Sequence, residues 1–393
     1  MEQIIPIFQG IAWPLALAIA WAAGEAGYRW LGLPRISSYG IAGFAMSASQ
    51  GGFLGNPPEG AVILLADFAF ALILFELGYR INLRWLRTNP WIGISAAAEA
   101  FSTFAAVFAI GRLFDLNQLT ALLLAALAMS TSPAAILRVI NETRSAGQVT
   151  ERLLHLSALN CIFAVMVFKA TLAYWALSSD KGIFDALWSS AAVLIVSVAL
   201  GATFGVAVPG ILRWANSPHR NSTVALALAI LLLTALTHFL KFSPLVAALV
   251  FGLAARHRRI CFSQAQQNFG SLGDLLTVLL FVFTTSLLDW RQMTSGIGLA
   301  LTIVLVRLLT KTAATTAFAR ISGTTWRKGA LTGLALTPFS VFAMFLIEQS
   351  RHLKLPALAE ISGVALMILL IEIIGPVITQ RALTWAGETQ KAN

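Results

Sequence analysis

The sequence predicts an all-α polytopic membrane protein with about thirteen transmembrane helices and an inverted repeat. Three observations predict it. The 393 residues are 58% hydrophobic and only 11% charged, with mean hydropathy +0.79, whereas soluble domains carry about 25% charged residues. Thirteen stretches are apolar enough to cross a bilayer, a crossing that takes about 20 residues of helix. Two of these stretches are interrupted by polar residues and a proline, at Thr131-Ser132-Pro133 and Thr337-Pro338.

The first stretch is 3–23. Its opening, MEQIIPIFQG, has no basic n-region, and the apolar run outlasts a signal peptide, so it is expected to be a retained membrane segment. Stretches 35–50, 59–79 and 91–112 follow, the first of them short. The fifth, 118–140, holds the first interruption, and a basic loop leads into the sixth, 152–177. Then come 184–212, 221–240, a second short stretch at 243–256, and 270–288. The last three are 294–320, 326–348 with the second interruption, and 357–386. Several are long enough to tilt.

The charges test this division. One set of alternate loops holds 18 of the 27 Lys and Arg residues, the other set holds 6, and Lys169, Arg307 and Lys311 fall inside helices. Basic loops stay in the cytoplasm, so the N-terminus is expected outside and the C-terminus inside the cell (inner) membrane. A wrong helix count would scramble this alternation. The net charge of +10 would suggest nucleic acid in a soluble chain; here it sits in short loops, and no nucleic-acid partner is expected. Cys161 and Cys261 form no framework, and His155 and His238 have no metal-ligand companions. No nucleophile elbow or phosphate loop occurs, so neither an enzyme nor a cofactor or metal is expected.

The two interruptions lie seven stretches apart and therefore cross in opposite directions. Paired breaks in antiparallel segments suggest an inverted repeat with its binding site at the breaks. Purely structural proline kinks are the alternative.

Several stretches resemble one family. LGLPRISSYGIAG (31–43), LILFELGYRINLRWLR (72–87), TSPAAILRVINETRSAGQVTERLLHLSALNC (131–161), FSPLVAALVFGL (242–253) and EIIGPVITQRAL (372–383) are similar, in order, to segments of monovalent cation:proton antiporters of the sodium/hydrogen exchanger type. The resemblance implies a homodimer in the lipid bilayer, with a mobile core at about 91–177 and 294–386 and a scaffold at about 1–90 and 184–288. It also implies two crossing broken helices, meeting at Ser132-Pro133 and Thr337-Pro338, and a carboxylate near the crossing that binds a cation or protons in turn. The family usually has Asn-Asp or Asp-Asp in the middle of the sixth helix; here the pair is Asn160-Cys161.

Residue by residue, Thr131 and Ser132 offer hydroxyls beside freed carbonyls, or cap the broken helix locally. Ser157 and Asn160 match family ligand positions, with helix packing as the alternative. Cys161 reads as a small packed residue. Arg307 and Lys311 share a helical face and are costly charges in hydrocarbon. They are expected either to serve the site or to answer helix ends at the breaks. Lys311 lies nine residues and Asn160 eight residues from the cytoplasmic ends of their helices, at similar depth. Of the carboxylates that could stand in for the missing aspartate, Glu76 ranks first by family match and Glu99 second by depth, with Asp67 also near mid-membrane. The expectation is a secondary transporter exchanging Na⁺ or K⁺ for protons by alternating access. The alternative is a family member that has lost this exchange, and instead moves an anion or neutral solute or acts as a non-transporting regulatory subunit.

Overall fold

A computed structural model of the chain describes residues 4–55, 61–176, 183–214, 222–257, 263–288, 297–339 and 365–390. It is helical almost throughout. Among the described residues the only extended pairing is an isolated bridge between Ser47 and Leu54. The helices are α1 (Ile4–Leu31), α2 (Arg35–Met46), α3 (Ala61–Arg80), α4 (Leu83–Thr88), α5 (Pro90–Leu113), α6 (Gln118–Met129), α7 (Pro133–Thr143), α8 (Gln148–Ala176), α9 (Ile183–Trp214), α10 (Ser222–Phe239), α11 (Pro244–His257), α12 (Ser263–Ser286), α13 (Ile297–Ala317), α14 (Trp326–Ala335) and α15 (Ala365–Trp385).

Every one of the thirteen apolar stretches contains helix. Among the described residues five segments are each long and apolar enough to cross a bilayer: Pro90–Leu113, Gln118–Thr143, Gln148–Trp175, Ala191–Leu212 and Ile297–Ala317. The second of these spans the first interruption. Of the twelfth and thirteenth stretches, residues 340–348 and 357–364 lie outside the described residues.

Packing divides the chain into two compact units. One comprises Gly60–Arg84 and Lys169–Thr277, with α11 lying against α3, α9 and α10. Glycine makes that approach possible. A Cβ on Gly252 would sit 2.0 Å from Phe75 O, and one on Gly78 would sit 2.0 Å from Leu249 O. Small residues let backbones close up in this way where no hydrophobic force drives helices together in lipid.

The other unit comprises Met1–Glu59, Trp85–Phe168 and Val278–Asn393. Here α5 packs on α6 and α13, α14 packs on α13 and α15, and α15 also meets α2 and α7. Local chemistry sets several helix ends. Asn117 caps α6 by accepting from Leu119 N, and Thr325 caps α14 by accepting from Lys328 N at 3.2 Å. Pro90 and Pro133 occupy first-turn positions of α5 and α7, where a missing N–H costs nothing. The start of α8 is capped from far away instead: the carboxylate of Glu388, in the C-terminal tail, accepts from Val149 N at 2.9 Å, Thr150 N at 2.8 Å and Thr150 Oγ1 at 3.0 Å.

Candidate functional site

α6 stops at Met129 and α7 begins at Pro133, so Ser130, Thr131 and Ser132 form an extended bridge between two half-helices. Pro133 cannot donate to the preceding turn, and Ser132 accepts from Ala135 N at 3.2 Å to start the new helix. α14 likewise stops at Ala335, and Thr337, Pro338 and Phe339 leave the helix. The two non-helical stretches meet. Ser132 N donates to Pro338 O at 3.0 Å, and Thr131 Oγ1 donates to Leu336 O at 3.5 Å.

This meeting brings the C-terminal ends of α6 and α14 together. Each end leaves carbonyls without helical partners and carries a partial negative charge. Arg307 of α13 answers both. Its Nε donates to Ala128 O at 2.9 Å, one terminal nitrogen donates to Thr337 O, and the other donates to Ser130 O at 2.6 Å and Pro338 O at 3.3 Å. Among the described residues the guanidinium has no carboxylate within ion-pair distance and is spent on carbonyls. Of the two roles expected for Arg307, this geometry is that of a charge answering the helix ends. The Thr337 hydroxyl turns back to Leu334 O.

Lys311, one turn further along α13, sits in a different cage. Its ammonium donates to Glu99 Oε1, to Met129 O at 3.2 Å and to Thr131 Oγ1 at 3.3 Å. An ammonium has three donors, and all three are used. Glu99 Oε2 accepts from Asn160 Nδ2 at 2.6 Å, and the same Nδ2 also reaches Thr131 Oγ1 at 3.3 Å. Glu99, Thr131, Asn160 and Lys311 are each 0% exposed, so this is an ion pair sealed inside the unit. Among the described residues, buried Asn160 Oδ1 has no hydrogen-bond partner.

Around this group, Cys161 Sγ donates to Thr131 O at 3.3 Å and Ser157 Oγ bonds its own helix at Leu154 O, 3.0 Å away. Glu76 lies in the other unit, where its carboxylate pairs with Arg80 at 2.7 Å; Asp67, on the same helix, has His238 at 3.9 Å. The carboxylate that the structure sets against Lys311 is therefore Glu99, which the sequence ranked second. The sequence could not supply the backbone oxygens of Met129, Ala128 and Ser130, because carbonyls carry no residue-type signal. The i,i+4 spacing of Glu99 with Thr103 and of Arg307 with Lys311 puts each pair on one helical face; that the two faces meet is shown by the Thr103 and Thr310 hydroxyls, 3.3 Å apart.

Chemically, three oxygens converge on a monovalent cation: one carboxylate, one hydroxyl and one carbonyl. The cation they hold is the protein's own ammonium. A carboxylate and an amine in such contact can exchange a proton-bearing occupant for another cation without leaving a bare charge.

The family model described as sodium/hydrogen exchanger, transmembrane, matches residues 15–385. Two solved structures of the sodium proton antiporter MjNhaP1 from Methanocaldococcus jannaschii have similar folds. One, determined at pH 8, is 16% identical with TM-score 0.68 and covers 98% of each chain. The other, an electron-microscopy map, is 18% identical with TM-score 0.74, covering 98% of this chain and 97% of that one. No curated protein matches the sequence.

Proposed function

Because this chain belongs to the sodium/hydrogen exchanger transmembrane family, we propose that it is a multi-pass membrane antiporter that exchanges Na⁺ or K⁺ for protons at the Glu99–Lys311 pair. The observation that carries this reading is the sealed cage in which Glu99 Oε1, Met129 O and Thr131 Oγ1 hold the Lys311 ammonium. A small hard cation favours the same oxygen ligands, and Asn160 Oδ1 is a further oxygen with no partner among the described residues.

Charge balance sets the coupling. With Lys311 protonated and Glu99 ionised, the pair is neutral. An entering cation takes Glu99, Lys311 gives its proton to water, and the cation–carboxylate pair beside a neutral amine is again neutral. One cation therefore moves against one proton, because any other ratio would leave an uncompensated charge in a dry site. Glu99 thus takes the place of the acid missing at Cys161. Arg307 keeps the crossing in shape throughout, since its donors are committed to carbonyls. That commitment also argues against an anion site here. The core at about 91–177 and 294–386 is proposed to move against the remaining scaffold in a homodimer of the inner membrane, with the N-terminus outside and the C-terminus in the cytoplasm. No chemical transformation of a substrate and no cofactor is part of this reading.

The test is reconstitution into vesicles with an internal pH dye and pulses of Na⁺, K⁺ or Li⁺, with and without an imposed voltage. Proton efflux that follows one of the cations and is indifferent to voltage is expected. Proton flux absent with every cation would instead leave the alternative: a family fold that has lost the exchange.

A further inference from the structure

Glu372, on α15, is buried, and among the described residues both of its carboxyl oxygens lack a hydrogen-bond partner. It sits where three helices close on one another. Ser37 Oγ of α2 donates to the carbonyl of the adjacent Ile373 at 2.7 Å. α2 and α12 touch at Gly43, where an added Cβ would lie 2.8 Å from Val282 Cα. Ser47 Oγ also donates to Ser286 O at 2.7 Å. Among the described residues, Thr284 of α12 is the polar side chain that bears on the carboxyl. Its hydroxyl proton is already given to its own helix, at Leu280 O (2.8 Å) and Phe281 O (3.2 Å). Toward Glu372 it can offer only a lone pair.

Among the described residues, the arginines and lysines on the helices packed against α15 are engaged elsewhere. On α2 and α7, Arg35 and Arg138 pair with Glu142, and Arg35 also with Glu25; Tyr39 lies against Gly24. On α13, Arg307 holds carbonyls and Lys311 holds Glu99. On α14, Arg327 donates to Trp385 O and Lys328 pairs with Glu388. An ionised carboxylate with neither donor nor cation is among the costliest groups to bury. A protonated carboxyl meets no such objection, because it carries no charge and its O–H can turn toward a neighbouring lone pair such as that of Thr284. One turn along the same helix, Gly375 abuts the second break; an added Cβ there would lie 2.7 Å from Pro338 Cα.

We propose that Glu372 is a second proton-binding site, separate from the Glu99–Lys311 pair, occupied by a proton while α2, α12 and α15 are closed on it and releasing that proton to water when they part. Its state is linked to the second break through the Gly375–Pro338 contact. Alkaline conditions, by removing the proton, therefore favour the parted arrangement.

Infrared spectra of the full-length protein in lipid nanodiscs test this, from mildly acidic to alkaline pH. The wild type is expected to show the carbonyl band of a buried protonated carboxylic acid, lost in Glu372→Gln and lost in the wild type at high pH. Thr284→Val removes the acceptor and should shift that band to higher frequency without abolishing it, a readout that does not depend on Glu372→Gln folding. A wild-type spectrum without the band, or a band that Thr284→Val leaves in place, overturns the proposal. The band is read without transport, so it decides the matter even if vesicles show no exchange. Where exchange is measured, Glu372→Gln should keep the rate at the acidic end and lose its change at the alkaline end.

Discussion

Glu99→Gln is the perturbation that bears most directly on the site. The two carboxylate oxygens have separate duties: Oε1 meets Lys311, and Oε2 accepts from Asn160 Nδ2 at 2.6 Å. Glutamine keeps the shape but has one oxygen. With that oxygen on Lys311, its NH₂ faces the Asn160 NH₂, and relief requires the Asn160 amide to turn its unpartnered Oδ1 inward. The amide can therefore be accommodated; the charge cannot. Lys311, 0% exposed, is left as a cation among neutral oxygens. Removing one partner of such a buried pair costs about 3–5 kcal/mol, whereas replacing both by neutral groups of similar volume is often close to neutral. Lys311→Met should cost a similar amount alone, and Glu99→Gln with Lys311→Met together should recover most of it. The four proteins are compared by thermal or denaturant unfolding in one detergent. The expected coupling energy is about 2–3 kcal/mol, the upper part of the range seen for residues sharing one network. Proton flux should vanish in Glu99→Gln and stay absent in the refolded double variant. Additive losses in stability would refute the ion pair. Wild-type flux in Glu99→Gln would refute Glu99 as the coupling carboxylate and return attention to Glu76.

Three further outcomes follow from the same geometry. Arg307→Lys keeps the charge but cannot span the carbonyls of Ala128, Ser130 and Thr337, so stability should fall by about 1–3 kcal/mol for each buried carbonyl left unpaired, with hydrogen exchange rising around both breaks. Cys161→Ala removes the Sγ contact to Thr131 O at 3.3 Å; exchange should persist with a stability loss of about 1 kcal/mol or less, and loss of flux would make the thiol part of the coupling. Glu388→Ala removes the acceptor at the start of α8; a lost cap of this kind costs about 0.5–2 kcal/mol, and the C-terminal tail should become cleavable by protease at lower concentration while Na⁺-driven flux is retained.

The sequence by itself determined the class of fold and the position of the breaks. Composition forced a membrane reading, because so few charges cannot cover a soluble surface. Thr131-Ser132-Pro133 and Thr337-Pro338 marked where two helices break, through a missing donor beside polar side chains; proline alone does not decide it, since Pro14, Pro209 and Pro376 lie inside helices that continue. The cost of intramembrane charge also marked Arg307 and Lys311 in advance as residues needing partners. Which partners they take was decided only by tertiary structure. Arg307 and Lys311 are one helical turn apart and look alike in sequence. Yet one reaches the carbonyls of two helix ends and the other a carboxylate 212 positions away. Family matching put Glu76 ahead of Glu99, because a resemblance reports where acids occur along the chain and not which helix faces which. The structure gives Glu76 its i,i+4 neighbour Arg80 and gives Glu99 to Lys311. Glu388 and Glu372 were not legible as anything but loop and helix residues: the first acts as a cap only because the tail folds back onto α8, and the second is buried only because helices close over it. Periodicity and composition are local properties of the chain, whereas an ion pair or a sealed carboxyl is a property of surfaces that meet.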